Sequence, residues 1–145
     1  MDILSQRDPR WSSIKLGNSN LTIGSSGCLI TCLSMIAGVT PDVFNKKLLA
    51  VKGFSGALVI WSKIQSAFPN LKFVWRSSSY NNDSVKSQIN RNGFCLVECQ
   101  PVLRGSSRHW VLFIGNKRLI DPWYGTNRPT SSYWFYTGFA AIDKI

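Results

Sequence analysis

The stretch Gly24-Ser25-Ser26-Gly27-Cys28-Leu29-Ile30-Thr31-Cys32-Leu33-Ser34-Met35-Ile36 places the tightest constraint on how this chain folds, because a loop of small residues runs straight into an apolar helix. Cys28, Cys32, Met35 and Ile36 fall at helical spacing, so one face buries itself against the rest of the chain. The glycines and serines before Cys28 let backbone approach closely. A thiol at a helix start meets unpaired amide N–H groups and the positive end of the helix dipole, which favour the thiolate, the nucleophilic form. Burial as one more small hydrophobe is the other common fate of a free cysteine, and this stretch alone leaves both readings open.

At 145 residues the chain fits one domain, 1–145, with ample core and no need of disulfides or metal as staples. The opening residues Met1-Asp2-Ile3-Leu4-Ser5-Gln6-Arg7-Asp8-Pro9 lack the basic start and apolar core of a signal peptide, and no later run is long enough to span a bilayer. A product made in the cytoplasm is expected, with release by lysis or carriage in a virion left open. A net charge of +10 attracts anionic polymers. The charges are scattered singly or in pairs (Arg7, Arg10, Lys46, Lys47, Arg104, Arg108, Lys117, Arg118), which predicts a solvated basic surface and no specific nucleic-acid groove. Most tryptophans sit in apolar runs such as Val59-Ile60-Trp61 and Phe73-Val74-Trp75, where a core role is expected.

The first half reads as mostly helical. Residues 5–24 form an ordered arm anchored by Trp11 and Leu16, with a turn at Gly17-Asn18-Ser19-Asn20. Gly38 stops the Cys28 helix, Thr40-Pro41-Asp42 starts a second helix running to about Val51, and Leu58, Trp61, Ile64 and Phe68 predict a third amphipathic segment. The period then changes. Residues 71–75 read as a short strand and 83–92 as a short helix capped by Gly93. Strands are expected at 94–99, 109–114, 118–121 and 139–142, with 125–132 as a surface loop. Helices first and an antiparallel sheet after define an α+β domain.

The single histidine, His109, opens the most apolar strand directly after Arg104-Gly105-Ser106-Ser107-Arg108, at the rim of a sheet. An imidazole there can serve as base for a thiol brought within hydrogen-bond reach. Asp121, one of seven acids, lies on the next strand. A loop of Gly115 to Lys117 sets Asp121 opposite Val111, on the face shared with His109; a two-residue loop sets it on the other face. On the first register Asp121 fixes the imidazole tautomer and stabilises the imidazolium. Cys28 and Cys32 repeat the spacing of Cys95 and Cys99, yet the Cα atoms of residues four apart on a strand stand about 13 Å apart at about 3.3 Å per residue, too far for both thiols to bind one zinc ion. No metal and no cofactor are expected, and Cys32, Cys95 and Cys99 read as buried packing residues.

These residues resemble the papain-like cysteine peptidases, and within them the bacteriocin-leader-processing (double-glycine) peptidases. The resemblance rests on Gln6 with Asp8-Pro9-Arg10-Trp11, Leu16-Gly17, Thr22-Ile23-Gly24, Gly27-Cys28 opening a helix, His109-Trp110-Val111 and Asp121-Pro122-Trp123, and it covers nearly the whole chain. It implies Cys28 as nucleophile, His109 as general base and acid, Asp121 as orienter and Gln6, with the Cys28 N–H, as oxyanion donor. It further implies a helical lobe bearing the nucleophile packed on a sheet lobe bearing the base. The leader-processing enzymes carry their glutamine only a few residues before the cysteine and precede an exporter and ATPase, so the resemblance is to a standalone hydrolase. Its expected partner is a peptide or peptidoglycan-like substrate, with phage or bacterial origin. A silent papain-like binding or structural module, such as a phage particle component, is the alternative, and a basic nucleic-acid binder ranks last. The sequence sets no oligomeric state.

Overall fold

A computed structural model describes residues 1–78, 82–101 and 109–145, without side-chain detail at 101 and 134–136. Segment 104–108, which precedes His109, lies outside the described residues. The chain is α+β: helices lead, and a six-stranded antiparallel sheet follows.

The N-terminal arm is ordered, with Trp11 and Leu16 buried. Its turn at Gly17 is pinned by Asn45, whose Oδ1 accepts from the Gly17 N–H at 2.9 Å while its Nδ2 donates to the Lys15 carbonyl at 3.1 Å. The small-residue loop is tighter than its composition predicts, because Ile23–Ser26 forms a one-turn helix, α1, capped reciprocally by Thr22 and Ser25. Helix α2 (Cys28–Ala37) follows at once and is buried all round from Ile30 to Ile36, not on one face only. Gly38, at φ 75°, ends it. Thr40-Pro41-Asp42 opens α3 (Pro41–Ala50) as expected, although the Thr40 side chain makes no capping bond.

The expected third helix is replaced by shorter pieces. A small hairpin of β1 (Phe54–Ser55) and β2 (Leu58–Val59) turns at Gly56 (φ 61°), and only Trp61–Lys63 and α4 (Ile64–Ala67) are helical. Gly53, Gly56 and the β-branched Val59-Ile60 oppose a helix that the apolar spacing alone favours.

The sheet contains β3 (Leu71–Ser77), β4 (Phe94–Pro101), β5 (His109–Gly115), β6 (Arg118–Asp121), β7 (Thr126–Pro129) and β8 (Tyr133–Lys144), in the order β3-β8-β4-β5-β6-β7. Half of the expected loop 125–132 is β7, an edge strand that pairs with β6 and is followed by a 3-10 turn, Thr130–Ser132. Its polar sequence and Pro129 suit an edge, where one side needs no ladder. Between β3 and β4 lies α5 (Asn82–Asn90), whose end is turned by Asn92 at φ 62°, in place of Gly93.

Strand alternation divides the core in two. Leu96, Leu112 and Ile120 face a cluster built on α2, α3 and α4, while Cys95, Val97, Val111 and Leu119 face Val85 of α5. The helix carrying Cys28 is thus packed on one face of the sheet. Among the described residues no single helix is long and apolar enough to cross a membrane.

Leu33, with no exposed surface at the centre of α2, tests how far this helix supports the fold. Leu33→Ala is expected to cost about 2–5 kcal/mol in urea unfolding, with an unchanged m-value.

Candidate active site

Three local structures bring the site together. The first is the α1–α2 junction, where Gly27 ends one helix and starts the next. Its N–H donates to the Ile23 carbonyl at 2.8 Å, and a Cβ on Gly27 would stand 2.6 Å from that oxygen, so only glycine fits. Cys28 is consequently fixed as the first residue of a buried helix, partly open to solvent.

The second is the β5–β6 hairpin. Its loop is the two-residue pair Asn116-Lys117, both at positive φ (54° and 58°), as a type I′ turn requires. By itself that loop would put Asp121 on the wrong face. A bulge between Phe113 and Gly115 inserts the missing residue and restores the pairs Phe113↔Leu119 and Leu112↔Ile120, so the continued ladder sets Asp121 opposite Val111. The His109 Nε2 and Asp121 Oδ1 stand 2.6 Å apart, with both residues buried.

The third is the N-terminal arm. The Gln6 N–H donates to the Pro122 carbonyl at 2.8 Å, and its Nε2 donates to the Gly24 carbonyl at 3.2 Å. Gln6 therefore ties the loop before Cys28 to the turn after Asp121. Its Oε1 is buried with no hydrogen-bond partner among the described residues. Arg7 extends the tie, donating from Nε to the Trp123 carbonyl at 2.9 Å.

Charge within the site follows from this packing. Burial pushes the Cys28 thiol up, but its hydrogen bond with His109, the imidazolium charge and the N–H groups of Trp110 and Leu29 outweigh burial and hold the thiol below its ordinary value. Burial also opposes charge on His109, yet the bonds to Asp121 and Cys28 prevail and its pKa is pushed up to about 9. Asp121 is held below the usual carboxylate range, because donation from His109, Tyr133 and the Trp123 N–H overcomes its desolvation. With Nε2 engaged by Asp121, Nδ1 is the nitrogen left for Cys28. The two shifts run in opposite directions, and both favour thiolate with imidazolium over the neutral pair.

Tyr133 is the site residue that sequence reasoning missed. Its hydroxyl donates to Asp121 Oδ2, and the Trp123 N–H donates to Oδ1 at 2.8 Å. Tyr133 lies twelve residues beyond Asp121 on another strand, so no local pattern ties it to the carboxylate. A buried acid does, however, call for a second donor.

The other cysteines behave differently. Cys32, Cys95 and Cys99 are buried, and Cys95 and Cys99 lie in the extended β4. Burial, with no compensating donor, lifts Cys95 to about 12, and burial together with the nearby charges of Cys28, Asp121 and Cys99 lifts Cys32 well above the ordinary thiol. Among the described residues no group of His, Cys, Asp or Glu gathers to hold a metal ion. Comparison with protein-family models, curated proteins and solved structures found no match to this chain.

Alkylation mapped to individual cysteines should find Cys28 reacting rapidly at pH 7, while Cys32 and Cys95 react only on unfolding. In His109→Ala only the N–H groups of Trp110 and Leu29 still oppose burial and the thiol rises, so labelling of Cys28 at pH 7 should slow by about tenfold or more, one pKa unit being tenfold in thiolate. Tyr133→Phe leaves one oxygen of a buried carboxylate without this donor, an expected loss of about 1.5–3 kcal/mol in denaturant unfolding.

Proposed function

We propose that this chain is a papain-like cysteine hydrolase that cleaves an amide bond, with a bacterial cell-wall peptide as its substrate. The observation that carries the reading is the continuous contact from Cys28 to His109 to Asp121, with the bond between the last two at 2.6 Å. The packing of the nucleophile helix on an antiparallel sheet supports the two-lobed architecture that the family resemblance implies. The net charge of +10 supports attraction to the anionic polymers of a cell wall.

In this mechanism the Cys28 thiolate attacks the amide carbonyl and forms a tetrahedral intermediate whose negative oxygen is met by the Cys28 N–H and by Gln6. The Nε2 of Gln6 carries two protons, of which one is used on Gly24, leaving the second for the oxyanion. Collapse breaks the C–N bond. The leaving amine takes the imidazolium proton of His109, and the acyl group stays on sulfur as a thioester. Neutral His109 then removes a proton from water, hydroxide adds to the thioester, and collapse releases the carboxylic acid and regenerates the ion pair. Asp121 holds the imidazole in position and balances its positive charge throughout.

The pH profile follows in sign. Activity rises from the acid side as Cys28 loses its proton, below the ordinary thiol range, and falls on the alkaline side near pH 9 as His109 loses the proton needed by the leaving amine. Hydrolysis of purified cell-wall peptides, read as newly released amines, should vanish in Cys28→Ala and fall by about 10²–10⁴-fold in kcat/KM for His109→Ala. Equal rates for wild type and Cys28→Ala would refute the proposal.

A further inference from the structure

Trp110 follows His109 on β5, and its side chain lies on the other face of the sheet, the face on which α2 packs. Its backbone N–H donates to the Cys28 thiol, so this residue adjoins the nucleophile. Trp61 meets the Trp110 ring edge-on at 5.7 Å between centroids, and Phe73 packs on Trp61 at 5.6 Å. Arg76 of β3 reaches this pair across two strands. Strands β8 and β4 lie between β3 and β5, three spacings of about 4.8 Å each, and the way is open because β8 presents only Gly138 and Ala140 there. The Arg76 Cζ stands 5.8 Å from the centre of the Trp61 ring and 5.4 Å from that of Trp110. Within about 6 Å the face of an indole attracts a cation, so both rings hold the guanidinium.

Such contacts engage the face of a guanidinium and leave the N–H groups along its edge. Among the described residues that edge meets no acceptor, since the Arg76 side chain makes neither a hydrogen bond nor an ion pair. Glu98, which the register sets opposite Trp110 on the same face, accepts from the Thr137 hydroxyl at 3.0 Å and forms no ion pair with Arg76. The cation is thus held in place with its donors open, and Trp110 touches both it and Cys28. We propose that Arg76, oriented by Trp61 and Trp110, binds a carboxylate of the substrate a few atoms from the carbonyl that Cys28 attacks; the inference rests on the hydrolase reading and makes the substrate an acidic peptide. A carboxylate offers two oxygens in one plane, which a guanidinium edge meets with two parallel bonds. A lysine ammonium at this position would bind as a point charge and lack that fork. Held between two rings, Arg76 also loses little further freedom when the anion arrives.

Bromoacetylated ω-amino acids, with one to six methylenes between nitrogen and carboxylate, test this directly. They alkylate the thiolate by forming a C–S bond and releasing bromide. Each acid would be compared with its primary amide, and the ratio of the two labelling rates at Cys28 cancels any change in the thiolate itself. In the wild type the ratio should pass through a maximum of about tenfold or more at an intermediate chain length. That maximum should disappear in Arg76→Gln. Arg76→Lys, which keeps the charge without the fork, should reduce it several-fold and serves if Arg76→Gln does not fold. Lys46→Gln, which removes the same charge from the exposed side of α3, should leave it in place. A ratio that only falls with chain length reports the His109 imidazolium alone, and a ratio that Lys46→Gln lowers as much as Arg76→Gln reports the general field of a basic protein. Either result, or a maximum that survives Arg76→Gln, overturns the Arg76 site while leaving the hydrolase reading intact. Iodoacetamide labelling of Cys28 no faster than that of the buried cysteines overturns both.

Discussion

A carboxylate with no exposed surface stays ionised only where donors take the place of water, and Asp121 has such a set in the His109 ring, the Tyr133 hydroxyl and the Trp123 N–H. The chemistry of the site depends on that pairing. The negative charge holds the imidazolium in place, the imidazolium holds the Cys28 thiolate, and all three sit where burial would otherwise neutralise them. Removing any member leaves the others as uncompensated buried groups, so the charges of the site are cooperative.

The fold supplies this pairing through its register. His109 and Asp121 share the side of the sheet that carries Val111, Leu119 and Tyr133, whereas α2 packs on the opposite side. They meet Cys28 because His109 is the first residue of β5 and Cys28 the first of α2, so both stand at the ends of their elements. The arm before α1 closes the assembly, with Gln6 bonded to the backbone on both sides of the site. One short segment thereby ties the loop before Cys28 to the turn that follows the carboxylate.

Much of this arrangement was legible in the residues. The start of α2 at Cys28, its stop at Gly38 and the Pro41 start of α3 are written in local backbone chemistry, which acts over a few residues and overrides little else. The side-by-side placing of His109 and Asp121 was legible as one of two registers, but not the route to it. The loop has two residues, with Lys117 at a positive φ that few would assign to lysine, and a separate bulge at Ile114 rescues the register. Over 58–68 the apolar spacing alone suggests too long a helix, because the β-branched pair Val59-Ile60 favours extended backbone at its start. Where polarity was read as loop, as over 125–132, an edge strand was missed, because an edge can be polar on both faces. Tyr133 was invisible for another reason: its partner is set by sheet order, β8 and β6 being brought together only by the complete topology.

Because the chain has a single histidine, its protonation can be followed without assignment, by nuclear magnetic resonance of protein containing isotope-labelled histidine. The assembled ion pair requires both ring nitrogens of His109 to be protonated at neutral pH and to titrate near pH 9, with the titration moving down when Cys28 is replaced by alanine. A neutral imidazole at neutral pH, titrating near the ordinary value of 6.5 and indifferent to Cys28, would contradict the coupling of thiol, imidazole and carboxylate on which the account rests.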